Sequence, residues 1–257
     1  MPHVNWLLQL PEGITPALAL LFTLLAALTA MITSALGAGG GAILLVLLAQ
    51  WIPPAALIPV HGLTQFGANF SRACLTRTHI HWPLIAAFLP GVILGAWLGS
   101  LVLIQVPDAI WQVVIALFVL WLCWGPALPM AAFGKLGTFI AATTTSFASL
   151  FVGATGPFVA AFLKQATDGR FQTIATFAAA MSLQHAPKAV AFGALGFVLR
   201  DWLGLILLMI AATVVGNRIG LHLLSRLSDQ RFHHLLNLVL TLLALRLLWV
   251  AMTNSVL

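Results

Sequence analysis

The sequence predicts an all-α, polytopic membrane protein of two inverted repeats, each a glycine-broken or re-entrant hairpin followed by three spanning helices. Three observations carry that expectation: the composition, the length of the apolar stretches, and an internal repeat. Of 257 residues, 61% are hydrophobic and only 6% charged, with a mean hydropathy of +1.08. A soluble domain carries about a quarter charged residues, so this chain cannot turn its whole surface to water. Disorder is excluded as well, because disordered chains are polar and poor in aromatics.

Apolar stretches run over residues 15–36, 42–52, 55–75, 83–104, 108–125, 136–152, 157–166, 171–198, 202–225 and 232–251. About 20 apolar residues make a helix that crosses the hydrocarbon, and most of these stretches qualify. The stretches 42–52 and 157–166 are too short, and each follows a glycine-containing break. A sustained in–out alternation is absent, which excludes a membrane barrel. The punctuation is Gly and Pro: Pro53-Pro54, Pro83, Pro107, Gly125-Pro126 and Pro129. No Lys or Arg precedes Arg72, so the basic start of a signal peptide is missing and the first apolar segment is expected to be retained. Cys74 and Cys123 lie far apart and read as packing residues.

The repeat has an offset of about 116 residues. Gly37-Ala38-Gly39-Gly40-Gly41 aligns with Gly153-Ala154-Thr155-Gly156-Pro157, Ile58 with Ile174, Asn69 with His185, and Arg72 with Lys188. After an insertion of about five residues, Gly95-Ala96-Trp97-Leu98-Gly99 aligns with Gly216-Asn217-Arg218-Ile219-Gly220, and Asp108 with Asp229. The common order argues for duplication, with repeats at 1–130 and 131–257.

Charge orients the repeats. Eleven Lys and Arg oppose five Asp and Glu, for a net +6. The five acids, Glu12, Asp108, Asp168, Asp201 and Asp229, all lie at segment ends. The loops near 50–55 and 105 carry no basic residue, while the 72–81 region carries Arg72 and Arg77. In the second half Lys164, Arg170, Arg226 and Arg231 fall in the opposite set of loops. Under the positive-inside rule this alternation suits inverted repeats with both termini outside and Lys135 in the cytoplasm. Arg200 alone disagrees. The positive charge forms no long stripe, so nucleic acid is not an expected partner.

The glycine breaks are the first chemical candidates. Irregular backbone at membrane depth is tolerated only inside protein or beside a wet cavity, and a helix restarting after the break offers unpaired N–H groups to an oxyanion. Gly39, Gly40, Gly41, Thr155 and Gly156 are therefore candidate binding positions. Close packing through small residues is the competing reading, and the repetition of the break favours the ligand.

Lys188 is the strongest single candidate, lying in Gln184-His185-Ala186-Pro187-Lys188 with apolar sequence on both sides. A cation inside a span is costly and marks a functional site by default. With no carboxylate in the surrounding segments, an anionic substrate would neutralise it. Arg72 is the partner candidate, with interface snorkelling as its alternative. Gln65 and Asn69 share a helical face, as do His185 and Lys188. Together with Gln184 these complete the candidate site, and interhelical hydrogen bonding is the competing role for each polar group.

Thr143-Thr144-Thr145-Ser146 reads as a helix face bonding its own carbonyls. His79 and His81 read as interface residues, and His233-His234 lacks a partner for a metal. No nucleophile elbow, zinc-protease motif or Walker motif is present, so neither enzyme chemistry, ATP hydrolysis, a metal nor a cofactor is expected. Movement of a solute would follow a gradient or couple to an ion, and His61 and His185 are the candidates for carrying a proton.

The glycine break at 37–41, Pro53-Pro54-Ala55, the Gly-Ala-Trp-Leu-Gly run at 95–99, the break at 153–157, Ala175-Thr176, Lys188 and Ala191-Phe192-Gly193-Ala194-Leu195-Gly196-Phe197 together resemble the sulfite exporter TauE/SafE family, the four-toluene-sulfonate uptake permeases. The resemblance covers about Pro16 to Met252. His61-Gly62-Leu63-Thr64 departs from the Gly-Thr-Ser common there, and His185 from a frequent asparagine. The resemblance implies a multi-pass protein of the bacterial inner membrane that moves sulfite, organosulfonates and related sulfur anions, often outward. The expected mechanism is alternating access around an electropositive pocket sized for a small oxyanion, between the two breaks. An anion-selective channel is the alternative, and an intramembrane enzyme a weaker one.

Overall fold

In the computed structural model the described residues are 9–102, 134–153 and 155–223, with parts of 110–125 and 241–253. The matches drawn on Ala154, Asp108, Asp229, Cys123, Arg226, Arg231 and His233-His234 lie outside them. The described segments are helical and contain no strand. In order they are α1 (Pro16–Leu36), α2 (Gly40–Leu48), α3 (Pro54–Leu75), a short 3-10 turn (Arg77–His79), α4 (Trp82–Val102), α5 (Gly134–Val152), α6 (Gly156–Ala166), α7 (Gly169–Ala194) and α8 (Leu199–Leu223). These follow the apolar stretches of the sequence closely.

Local chemistry sets the boundaries. The Thr15 hydroxyl accepts the Leu18 N–H at 3.2 Å, and Pro16 occupies the first turn of α1, where its missing N–H costs nothing. Gly37 ends α1 at φ 92°, its N–H bonded to the Thr33 carbonyl. Gly153 closes α5 in the same way at φ 77°, bonded to Ser149 at 3.1 Å. Both need a left-handed backbone that glycine adopts without penalty. Beyond the breaks, α2 has nine residues and α6 eleven. At 1.5 Å per residue these are about 14 and 17 Å long, roughly half the hydrocarbon thickness. The break therefore separates a long first helix from a half-length second one.

Among the described residues α1, α4 and α8 are long and apolar enough to cross a membrane. Their outward faces are greasy at helical spacing: Leu20, Leu24 and Leu28 on α1, and Ile93, Trp97 and Leu101 on α4, are exposed. This is the arrangement of a surface that meets lipid. α3 and α7 have the length, 22 and 26 residues, but spend their inward faces on polar side chains.

Packing exchanges the halves. α1 lies along α8, α4 along α5, and α3 along α7. One apolar core gathers α1, α2 and α3 around Leu205, Ile206 and Met209 of α8. The other gathers α6 and α7 around Leu84, Phe88 and Val92 of α4. Each half thus lends its last long described helix to the other half's bundle. The correspondence is residue-deep. A Cβ on Gly95 would stand 2.2 Å from the Thr143 carbonyl, and one on Gly216 would stand 2.0 Å from the Ala27 carbonyl. Ala27 and Thr143 are themselves separated by the repeat offset. Likewise Gly37 faces Ile174 and Gly153 faces Ile58, the two isoleucines paired in sequence. Gly95→Ala and Gly216→Ala should therefore each push a helix pair apart and cost about 3 kcal/mol or more. Tryptophan-monitored thermal unfolding of purified protein checks this, with comparable losses expected for both.

Candidate functional site

α3 and α7 run side by side at the centre and bury most of the candidate residues. On α3, His61, Gln65 and Asn69 recur every four residues, hence on one face, and all three line a small cavity. Across from them α7 contributes Phe177, Met181 and His185, again four apart. Adding the repeat offset to the first set gives the second. One wall is polar and the other largely apolar, although the backbone positions are equivalent. The ends of the cavity are formed by Gly39, Gly41 and Ala42, where α2 starts, and by Gly156, where α6 starts. Two helix N-termini, those of α2 and α6, thus converge on one space, with their positive dipole ends toward it.

The cavity measures about 20 Å³. A water molecule needs roughly 10–15 Å³ on that measure, so there is room for about one water. The sequence led to an oxyanion-sized pocket. The difference arises because Phe177 and Met181 fill the wall that α7 presents, a contribution that apolar residues give no sign of in sequence.

Both predicted cations are buried, at 1% exposure for Arg72 and 0% for Lys188, which removes interface snorkelling as the role of Arg72. Neither reaches the cavity wall. The Lys188 ammonium donates to the Gly153 carbonyl at 2.8 Å, at the negative C-terminal end of α5. Its stem passes Gly62, where a Cβ would lie 2.8 Å from the Lys188 Cδ. The Arg72 guanidinium donates to Asn69 Oδ1 and to Ser34 Oγ at 3.5 Å, and lies 5.6 Å from the Phe177 ring centre. No ion pair joins either cation to a carboxylate among the described residues. The positions aligned in sequence are placed alike here. Asn69 and His185 line the cavity, and Arg72 and Lys188 each stand one turn behind them.

Other candidates separate. Gly40 packs on α1, where a Cβ would meet the Thr29 carbonyl at 1.9 Å. Thr155 donates to Gln184 Oε1 at 3.0 Å, and Gln184 donates to Ser146 Oγ at 3.2 Å. These three support the second break from behind. Thr143, Thr144 and Thr145 bond the carbonyls of Phe139, Ile140 and Ala141, as their spacing predicts. Asn217 escaped sequence reasoning. It is fully buried and donates to the Ala68 carbonyl and Ser71 Oγ at 2.7 and 2.8 Å. It also accepts from Ser34, which ties α8 to the surroundings of Arg72.

The family model described as sulfite exporter TauE/SafE matches residues 22–247. The chain belongs to the TauE/SafE sulfite exporter family. It is accordingly a transmembrane transport protein, and the resemblance read from the glycine breaks and Lys188 holds over nearly the whole chain. No curated protein and no solved structure matches it.

Proposed function

We propose that the protein is a secondary transporter exporting small sulfur oxyanions, sulfite or organosulfonates, across a bacterial inner membrane by alternating access. The observation that carries this reading is the pairing of two buried cations, without a carboxylate partner among the described residues, with a cavity framed by two helix N-termini. Sulfite and a sulfonate group each present three acceptor oxygens, and donors from both repeats converge on them. Lys188 and Arg72, one turn behind the wall, supply the field; Gln65 and the backbone at Gly41 and Gly156 supply contact. The two repeats, 1–130 and 131–257, are inverted, and the reciprocal exchange of helices supports their rocking against each other. The water-sized cavity corresponds to a closed state that widens on loading. A recess of about 430 Å³ beside Gly37, Arg170 and Ile174 is the cytoplasmic approach, on the side the basic loops assign inward.

Counterflow tests it. Proteoliposomes loaded with unlabelled sulfite should transiently concentrate labelled sulfite from outside. Flux without counterflow would indicate the anion-selective channel instead, and no flux of sulfite or of any sulfonate would remove the reading altogether.

A further inference from the structure

The transport reading leaves two buried rings unexplained. His61 and His185 face each other at the cavity with ring centres 6.0 Å apart and planes at 78°. His61 Nε2 lies 2.9 Å from the Gly41 carbonyl. A carbonyl only accepts, so Nε2 carries the hydrogen and Nδ1 holds a bare lone pair. That Nδ1 is buried without a partner, and so is Nδ1 of His185. A buried polar atom left unpaired calls for a reason.

The surrounding charges supply one. Lys188 lies one turn from His185 on α7 and its stem passes Gly62, next to His61 in α3, while Arg72 on α3 is bonded to Asn69. At this level α2 offers Gly41 and Ala42 and α8 offers Met209, and no described carboxylate lines the cavity. A bare lone pair at Nδ1 repels an oxyanion. A proton added there turns the same atom into a donor while Nε2 keeps its bond to Gly41. Two imidazolium rings this close, beside an ammonium, would require two counter-ions, so a single oxyanion admits one proton. Proton and anion each make the other's binding more favourable, and that coupling is reciprocal.

We propose that His61 and His185 bind one proton together with the substrate anion, so that proton and anion cross together, outward where the anion's own electrochemical gradient exceeds the inward proton gradient. The inference rests on the transport reading above. The step is a protonation only: an N–H bond forms at Nδ1 with a proton from water on the loading side, and breaks to water on the release side.

Ethanesulfonate is the probe, because it stays ionised and carries no proton of its own. Wild-type proteoliposomes hold equal labelled ethanesulfonate on both sides, with the potential clamped and a one-unit pH difference imposed. One-to-one coupling drives label to the alkaline side, up to about tenfold. His61→Asn and His185→Asn each put a non-titrating amide N–H near the Nδ1 position. Exchange by the double variant is expected to slow, because both rings line the cavity, but the label it still moves should reach a steady-state accumulation of only about onefold. Wild-type exchange without pH-driven accumulation overturns the symport and leaves transport standing. Accumulation that persists in the double variant overturns the assignment to these rings. No exchange of ethanesulfonate or sulfite by wild-type protein at any pH overturns the transport reading itself.

Discussion

Lys188→Met is expected to reduce sulfite counterflow by about 100-fold while the protein still folds. The ammonium lies one turn along α7 from the cavity-lining His185 and is bonded to the Gly153 carbonyl at 2.8 Å. A charge-assisted hydrogen bond contributes about 1.5–3 kcal/mol, and the attraction of a buried cation for an anion in a low-dielectric interior adds to it. Together these support a hundredfold effect. Folding survives for a separate reason. Exchanging a buried charged group for an apolar one of similar volume is often neutral or stabilising, because the desolvation cost disappears. Methionine also matches the unbranched stem that threads past Gly62. The Gly153 carbonyl loses its ammonium donor, a cost offset by the end of the cation's desolvation penalty, while the turn stays closed by the Gly153 N–H bond to Ser149 at 3.1 Å. Size-exclusion profile and thermal unfolding should match wild type, and flux above about a third of wild type would remove Lys188 from the mechanism. Lys188→Arg is not a rescue. The wider guanidinium must pass the same contact at Gly62, so its flux should stay low despite the retained charge.

How far the sequence reached depends on the kind of signal each feature leaves. Helix positions were legible because lipid demands long apolar runs and because Gly37, Pro54 and Gly153 punctuate them chemically. Arg72 and Lys188 were legible because a cation within a span is costly, and Asn69 and His185 followed from the repeat. Phe177 and Met181 were hidden, being ordinary apolar residues in an apolar chain. The repeat would have found them, since the offset carries His61 onto Phe177 and Gln65 onto Met181. Asn217 was passed over because a single asparagine among glycines carries no pattern; its role arises only when α8 packs against α3. The exchange of α4 and α8 between bundles was latent in Gly95 and Gly216, whose small size marks a close contact without naming the helix contacted. Cavity volume was out of reach, because it depends on side-chain packing at a scale of a few ångströms.

The same substitution at two repeat-equivalent glycines should have opposite consequences. At Gly40 a Cβ would fall 1.9 Å from the Thr29 carbonyl oxygen and 2.2 Å from Thr33 Oγ1. The first contact is backbone inside α1, which a rotamer change cannot relieve. Gly40→Ala must therefore lift α2 off α1, and overpacking of this severity costs about 3 kcal/mol or more. Loss of folded protein in detergent is the expected result. At Gly156 the nearest atoms to a new Cβ are the Phe177 Cζ at 3.4 Å and the Met181 Cε at 3.9 Å, which is ordinary contact with flexible side chains. Gly156→Ala should leave the unfolding temperature within a few degrees of wild type. Yet Gly156, Phe177 and Met181 all line a cavity of about 20 Å³, and an added methyl takes space there that an arriving oxyanion needs. Sulfite counterflow should fall at least tenfold, chiefly through weaker binding, with the larger organosulfonates affected more than sulfite. Equal stability losses at the two positions would mean that the halves pack alike at their breaks. Unchanged flux in Gly156→Ala would mean that the anion passes elsewhere.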